Sequence, residues 1–200
     1  MMELTETLRK ENRVPRLLLH ACCAPCSSAC LERVWQDFEV TVFYFNPNID
    51  DASEYEKRLA EEHRLIEVFN GRLEEASAHH ISVIDGDYDP GVFHDAVRGL
   101  ETEPEGGARC SVCFRLRLEE TARAAALHGF EFITTTLTLS PLKDADRLNS
   151  IGEAAAKEHG VRWLPSDFKK REGYKRSIEL SREFGLYRQN YCGCSFSKGV

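Results

Sequence analysis

Eight cysteines in three groups carry most of the chemistry open to this chain: Cys22, Cys23, Cys26 and Cys30, then Cys110 and Cys113, then Cys192 and Cys194. Adjacent cysteines such as Cys22 and Cys23 rarely close a disulfide on each other, because the small ring is strained. Both thiolates can instead serve one metal cluster or two neighbouring metals. Cys110-x-x-Cys113 at a helix start lets two thiolates converge on one centre, a spacing shared by zinc and iron–sulfur sites. The two pairs together supply the four thiolates of a [4Fe–4S] cluster or of a tetrahedral zinc site. In Cys192-Gly-Cys194 the missing Cβ of Gly193 permits a tight bend. That pair can close a strained disulfide, a kind with a high reduction potential and a catalytic or regulatory use. Metal ligation is the other use of the same two thiols. Cys26 and Cys30, four apart, read as small core hydrophobes on the first helix. The Cys-x3-Cys-x2-Cys spacing of radical chemistry with S-adenosylmethionine does not occur.

Several polar residues stand near these groups. His20 precedes the adjacent pair and can donate a hydrogen bond to a thiolate or a substrate, or sit satisfied in the core. Arg109 flanks Cys110. Lys143 and Asp144 follow an expected strand. Lys169, Lys170, Arg171, Lys175 and Arg176, interleaved with Tyr174, suit a phosphate backbone with a stacked base, or a solvated face. His63, His79 and His80 read as surface residues without ligand spacing. The segment after the first strand is Cys-rich, not Gly-rich, which speaks against a bound nucleotide phosphate.

The elements that must position these residues alternate. Residues 16–21, 40–45, 81–84, 130–139 and 161–164 are expected strands, rich in β-branched and aromatic residues. Helices are expected from Pro25 onward, from Ser53 to about Phe69, over 93–100, 110–128, 144–159 and near 175–184. Ser53 and Glu56 read as a capping box, Asn70-Gly71 as the end of that helix, and Gly129 and Gly160 as C-caps. Alternation of this kind predicts a parallel α/β sheet with helices on both faces. Ligands of such sheets bind beyond the carboxyl ends of the strands, where residues 22–28 and 138–143 fall.

The 200 residues are enough for one domain with its own core, and a composition 42% hydrophobic and 30% charged is that of a globular chain. No apolar run approaches membrane-helix length, and the polar first sixteen residues lack the apolar middle of a secretory signal. The protein therefore reads as cytoplasmic, where clustered cysteines point to metal or redox chemistry, not to an extracellular disulfide scaffold. The net charge of −7 excludes a wholly basic surface, but residues 161–200 carry +5 against −12 for residues 1–160. The positive end suits a polyanion.

Six stretches resemble the epoxyqueuosine reductases of the QueH type: LHACCAPC (19–26), EGGARCSVCFRLRL (105–118), TTTLTLSPLK (134–143), DFKK (167–170), GYKRSIELS (173–181) and YRQNYCGCSFS (187–197). The likeness runs from Arg16 onward with every motif cysteine in place and leaves residues 1–15 as an N-terminal extension. It implies a Rossmann-like fold related to the nucleotide hydrolases of the HUP type. It also implies removal of the epoxide oxygen of epoxyqueuosine at the tRNA wobble position, as the last step of queuosine synthesis. By the same resemblance Cys22, Cys23, Cys110 and Cys113 hold a [4Fe–4S] cluster, and Cys192 and Cys194 are a redox-active pair. One additional iron is implied too, with Cys192 or Cys194 and Asp144 as candidate ligands. His20, Tyr191 and Asp167 are candidate proton donors. Lys143, Lys169, Lys170, Tyr174 and Lys175 are expected to touch the tRNA, and an external electron donor is required. The same four thiolates would also build a zinc-stabilised nucleic-acid-binding module without redox activity. An ATP-dependent tRNA-modifying enzyme is the weaker rival, lacking a phosphate loop.

Overall fold

The computed structural model describes residues 1–75 and 79–198. Five strands, β1 (Arg16–His20), β2 (Glu39–Tyr44), β3 (Ser82–Asp85), β4 (Phe132–Thr135) and β5 (Arg162–Trp163), form one sheet in the order β3-β2-β1-β4-β5. Every pairing is parallel. The helices are α1 (Met2–Lys10), α2 (Ala24–Val34), α3 (Ala52–Glu75), α4 (Pro90–Ala96), α5 (Ala108–His128), α6 (Ala145–Glu158) and α7 (Gly173–Glu183).

The period of two along β1 divides the core. Leu17 and Leu19 enter one apolar cluster with Leu31 of α2, Leu65 of α3 and Leu180 of α7. Leu18 enters the opposite cluster with Phe114 and Leu118 of α5 and Leu148 of α6. A strand buried on both faces must read as a continuous apolar run, and Leu17-Leu18-Leu19 does. A third, small cluster of Phe93, Val97, Cys113 and Cys194 ties α4, α5 and the C-terminal tail together. Among the described residues no helix is long and apolar enough to cross a membrane.

The sheet runs β1, β2, β3 in one direction and β1, β4, β5 in the other. The order therefore reverses between β1 and β4, which opens a crevice at their carboxyl ends. Residues 21–23 leave β1 there, and β4 leads there into a 3-10 turn at Thr136–Leu139.

Several boundaries depart from the sequence expectation. α3 continues through Asn70-Gly71, because the Asn70 side chain both donates to Ile81 O at 2.9 Å and accepts from Ile81 N at 2.8 Å. Its satisfied amide pins the helix to the segment entering β3 and does not end it. The cap of α3 is Asp51, whose Oδ1 accepts from Ser53 N and Glu54 N; Ser53 lies inside the helix and donates its hydroxyl to the same oxygen. β4 stops at Thr135, where that side chain accepts from Leu137 N and starts the 3-10 turn. The polar N-terminal stretch forms α1, with Leu8 buried in the first cluster and Arg9 paired with Asp37. Gly129 caps α5 in the left-handed region at φ 70° as its sequence position predicts.

Candidate metal centre

Cys22 and Cys23 lie between β1 and α2. Cys23 is the N-cap of α2, with extended backbone, and its carbonyl accepts from Cys26 N and Ser27 N at 3.0 Å each. The first turn folds Cys26 back over the pair. The Sγ atoms of Cys22, Cys23 and Cys26 all lie within 4.8 Å of one another, and those of Cys22 and Cys23 are 3.7 Å apart. Cys26, read from sequence as a core residue, thus faces the same point as the adjacent pair. Cys30, one turn further on, is fully buried in the first apolar cluster.

The three thiols perturb one another. Hydrogen bonds from Cys23 and Cys26 hold the Cys22 thiol well below its ordinary value, with help from Arg117 and Lys143. The same contacts push Cys23 up to about 12 and Cys26 well above the usual range. Thr136 steadies Cys22 from β4's side, its hydroxyl lying 3.4 Å from Sγ and 3.2 Å from the Cys22 amide. The amino end of α2 favours the anion as well.

A cavity of about 470 Å³ opens from Cys22 and Cys26, and Arg58, Arg117, Lys143 and Cys192 face into it. A narrow cleft of about 20 Å³ adjoins it and takes in Cys110, Cys113, Cys192 and Cys194. Lys143, Glu105, Leu142 and Ser197 line both. Six cysteines therefore line one site in two compartments, Cys23 lies beside two of them, and the tightest group is Cys22, Cys23 and Cys26. Cys110 and Cys113 lie outside that group. Cys110 Sγ accepts from Gly106 N at 3.2 Å. Burial pushes the Cys113 thiol up to about 12, although Arg117 draws it down. Burial also raises Cys194, which is near the Ser197 hydroxyl at 3.6 Å. Gly193 between the last two cysteines has φ +124°, a conformation reserved for glycine. Arg58 holds this tail by donating to Cys192 O at 3.2 Å.

The other expected site residues are distributed unevenly. Burial works against the Lys143 ammonium, but its electrostatic interactions with the neighbouring Cys192, Cys22 and Cys26 outweigh it and hold Lys143 above the ordinary lysine range. His20 is fully buried, its Nδ1 2.8 Å from Thr135 Oγ1 and its Nε2 3.1 Å from Phe45 O. Burial, then Arg117, lower its pKa to about 3, so the ring is neutral. It lines neither compartment. Tyr174 stands at the rim of the larger cavity, 40% exposed, with Arg188 over its ring at 5.9 Å. Lys169 and Lys170 both pair with Asp167, at 3.1 and 3.5 Å, and Lys175 pairs with Glu172 at 3.3 Å. Asp144 is taken up by the N-cap of α6, accepting from Asp146 N and Arg147 N. Arg109 donates to the carbonyls of Leu100, Glu101 and Glu103, closing the loop before α5. Tyr191 lines the larger cavity beside Arg58. His63 pairs with Asp85 at 2.8 Å on the surface, and His79 and His80 are exposed.

The structure adds Arg58, Arg117, Arg188 and Gln189 to the site. Arg117 is 1% exposed and lies one turn after Cys113 on α5, a spacing that puts both on one helix face. Gln189 enters the larger cavity, and its Oε1 is buried without a partner.

The family model described as epoxyqueuosine reductase QueH matches residues 17–199. This chain belongs to the QueH family. It is 40% identical over 197 residues to the epoxyqueuosine reductase QueH of Streptococcus pyogenes, covering 98% of this chain and 76% of that protein. The namesake proteins of Staphylococcus epidermidis and Staphylococcus aureus are each 40% identical, over 94% and 92% of this chain and 78% and 75% of their own lengths. Family members carry the name of an oxidoreductase, and a site built of thiols is suited to that chemistry.

Proposed function

We propose that this protein reduces epoxyqueuosine to queuosine at the wobble position of tRNA. The observation that carries the reading is the gathering of six cysteines in two adjoining cavities that share Lys143, with Cys23 beside Cys22 and Cys26, in a chain of this family. Thiolate donors with two nearby cations fit an anionic iron–sulfur group. Cys22, Cys23, Cys110 and Cys113 would hold a [4Fe–4S] cluster, which supplies electrons one at a time when bound. Cys26 is close enough to the first pair to serve as an alternative ligand. An additional iron would draw on Cys192 or Cys194 in place of their closure to a disulfide; Asp144 would join it only by giving up the α6 cap.

The remaining work falls to the chain's own residues. Opening the epoxide to the alkene consumes two electrons and two protons and releases water. A Cys192–Cys194 dithiol that closes to a disulfide supplies that count, and an external electron donor then restores it. Gly193 provides the bend such a closure needs. Lys143 holds a proton at Nζ beside the thiols and is placed to give it to the departing oxygen. His20 is neutral and buried, so its part is to orient Arg117 and the end of β1. The larger cavity has the size of a nucleoside site. Tyr174 at its rim offers a ring on which a base can stack, and Arg188 a charge for phosphate. Lys169, Lys170 and Lys175, already paired with carboxylates, lie further out and meet the flanking backbone. In a chain of net charge −7 that contact is local and weakens with salt.

The test is anaerobic purification and reconstitution, then iron, sulfide and zinc analysis and turnover on epoxyqueuosine-bearing tRNA with a chemical reductant. About four irons and four sulfides per chain, with queuosine formed, are expected. Colourless protein with zinc, no sulfide and no queuosine would overturn the reading and leave a zinc-stabilised module.

A further inference from the structure

Three arginines are all but fully buried in this chain: Arg58, Arg109 and Arg117, at 2%, 2% and 1% exposure. Arg58 is paired with Glu54 at 2.6 Å. Arg109 spends its donors on the Leu100, Glu101 and Glu103 carbonyls and lies over the Phe196 ring. Arg117 differs from both. Its Nε donates to His20 Nε2 at 3.3 Å and its Nη2 to Asn46 Oδ1, and neither partner is a carboxylate. No carboxylate pairs with it among the described residues. Asn46 is fixed in turn by donating to Ala21 O at 2.9 Å, and His20 by Thr135. The side chain is therefore held rigidly, at some expense in desolvation, with its charge facing the cavity that Cys22 lines. A buried cation held among neutral groups is strongly unfavourable unless an anion faces it. The groups that face it from the surrounding elements are Cys22 at the end of β1, Cys113 on its own helix, and Lys143 after β4. Of these three, the two cysteines can supply negative charge; Glu105 also lines the cavity but is exposed and makes no ion pair with Arg117.

We propose that Arg117 is the built-in counter-cation of the metal centre, a positioning residue that joins the Cys22 half of the ligand set to the Cys113 half. It acts through the thiolates and does not touch substrate. Both halves carry more negative charge once four thiolates and a metal group are assembled than they do as thiols. Arg117 therefore stabilises the loaded site more than the empty one. It ties metal retention to folding, and it favours the more negative, reduced state of a bound cluster. This inference rests on the metal-centre reading but not on the identity of the substrate.

The experiment compares wild type with Arg117→Met, which keeps the buried stem and removes the charge, and Arg117→Lys, which keeps a charge. Each protein is melted metal-free under reducing anaerobic conditions and again after reconstitution with iron and sulfide. The rate of iron loss to a chelator and the midpoint potential of the bound group are measured in parallel. In Arg117→Met the rise in melting temperature on loading should shrink by several degrees. Iron should leave about tenfold faster, as when outer partners of metal ligands are removed. The potential should fall, and Arg117→Lys should recover part of each effect. Arg117→Met melting temperatures displaced equally in both states, with iron loss and potential unchanged, would overturn the proposal and reduce Arg117 to packing. So would Arg117→Lys losing iron as fast as Arg117→Met. If Arg117→Met does not fold, Arg117→Lys against wild type decides by chelator rate alone: near-wild-type retention supports the role of charge, a tenfold loss refutes it. Should the chain take up zinc without sulfide, the reductase reading fails, and the same comparison of melting and chelation is made with zinc.

Discussion

Replacing Gly193 by alanine should separate the geometry of the last cysteine pair from the rest of the fold. Gly193 stands at φ +124°, where a side chain costs about 1–3 kcal/mol in backbone strain. A Cβ built there would also lie 2.8 Å from Ile49 Cγ1 and 3.3 Å from Arg58 Nη1. Ile49 is 1% exposed and cannot withdraw into solvent, so the overpacking adds about 1–3 kcal/mol. The sum is about 2–6 kcal/mol. For a chain of this length that lowers the melting temperature by roughly 4–24 °C. Gly160 supplies the internal reference. It is left-handed at φ +70° with nothing within 4 Å of a built Cβ, so Gly160→Ala pays strain alone, about 1 kcal/mol. Calorimetry on reduced, anaerobic protein reads both. Titration of accessible thiols should show Cys192 and Cys194 reacting faster in Gly193→Ala and unchanged in Gly160→Ala. Equal destabilisation of the two variants, with equal thiol reactivity, would refute the account of the tail as a tightly seated turn.

Other outcomes follow from groups at or beneath the site. Glu62 is fully buried and burial raises its pKa to about 8 from 4.5, so the folded chain keeps a proton there that the unfolded chain has lost. Its contribution is present in full below about pH 4.5 and is lost as pH rises toward 8. Glu62→Gln should flatten that decline in urea midpoints measured at pH 5 and pH 8, and parallel slopes would count against it. Cys26→Ser should lower the iron retained per chain. Cys30→Ser should keep the iron and cost about 1–3 kcal/mol for a buried hydroxyl, and identical iron contents would remove Cys26 from the centre. Tyr174→Ala should raise KM for the tRNA substrate roughly tenfold, from about 1–3 kcal/mol of lost stacking, with kcat little changed. A fall in kcat alone would place the tyrosine in the chemistry.

The parallel sheet was legible because strands and helices alternate with strong patterns, and the apolar Leu17-Leu18-Leu19 run marks a central strand. The position of Cys22 and Cys23 at a strand's carboxyl end followed from the same pattern. Helix ends were less legible where side chains act at a distance. Asn70-Gly71 has the composition of a stop, yet Asn70 spends its amide on Ile81, eleven residues on. Ser53 has the spacing of a cap, but the carboxylate of Asp51 outcompetes its hydroxyl. α1 reads as polar tail because few of its residues are apolar; Leu4 and Leu8, four apart, carry its contact with the core among the described residues. At the site, the closeness of Cys26 to Cys22 and Cys23 was not legible because it depends on where α2 begins. A start at Ala24 puts it in the first turn, over Cys22 and Cys23. Arg117 carries no local sign of burial, and its spacing to Cys113 is the one signal that could have found it.

The site's thiols come from opposite ends of the chain. Cys22, Cys23 and Cys26 close off the first strand, while Cys192 and Cys194 arrive on a tail that Arg58 and Arg64 of α3 fasten by their hydrogen bonds to Cys192, Tyr191, Phe184 and Gly185. During synthesis the first three thiols emerge and can fold against β1 and β2 long before the last two leave the ribosome. For that interval the three thiols stand without the tail residues that line the same cavity. The sheet's switch point thus sets a timetable as well as a place: the cavity is complete only once the tail is fastened to α3.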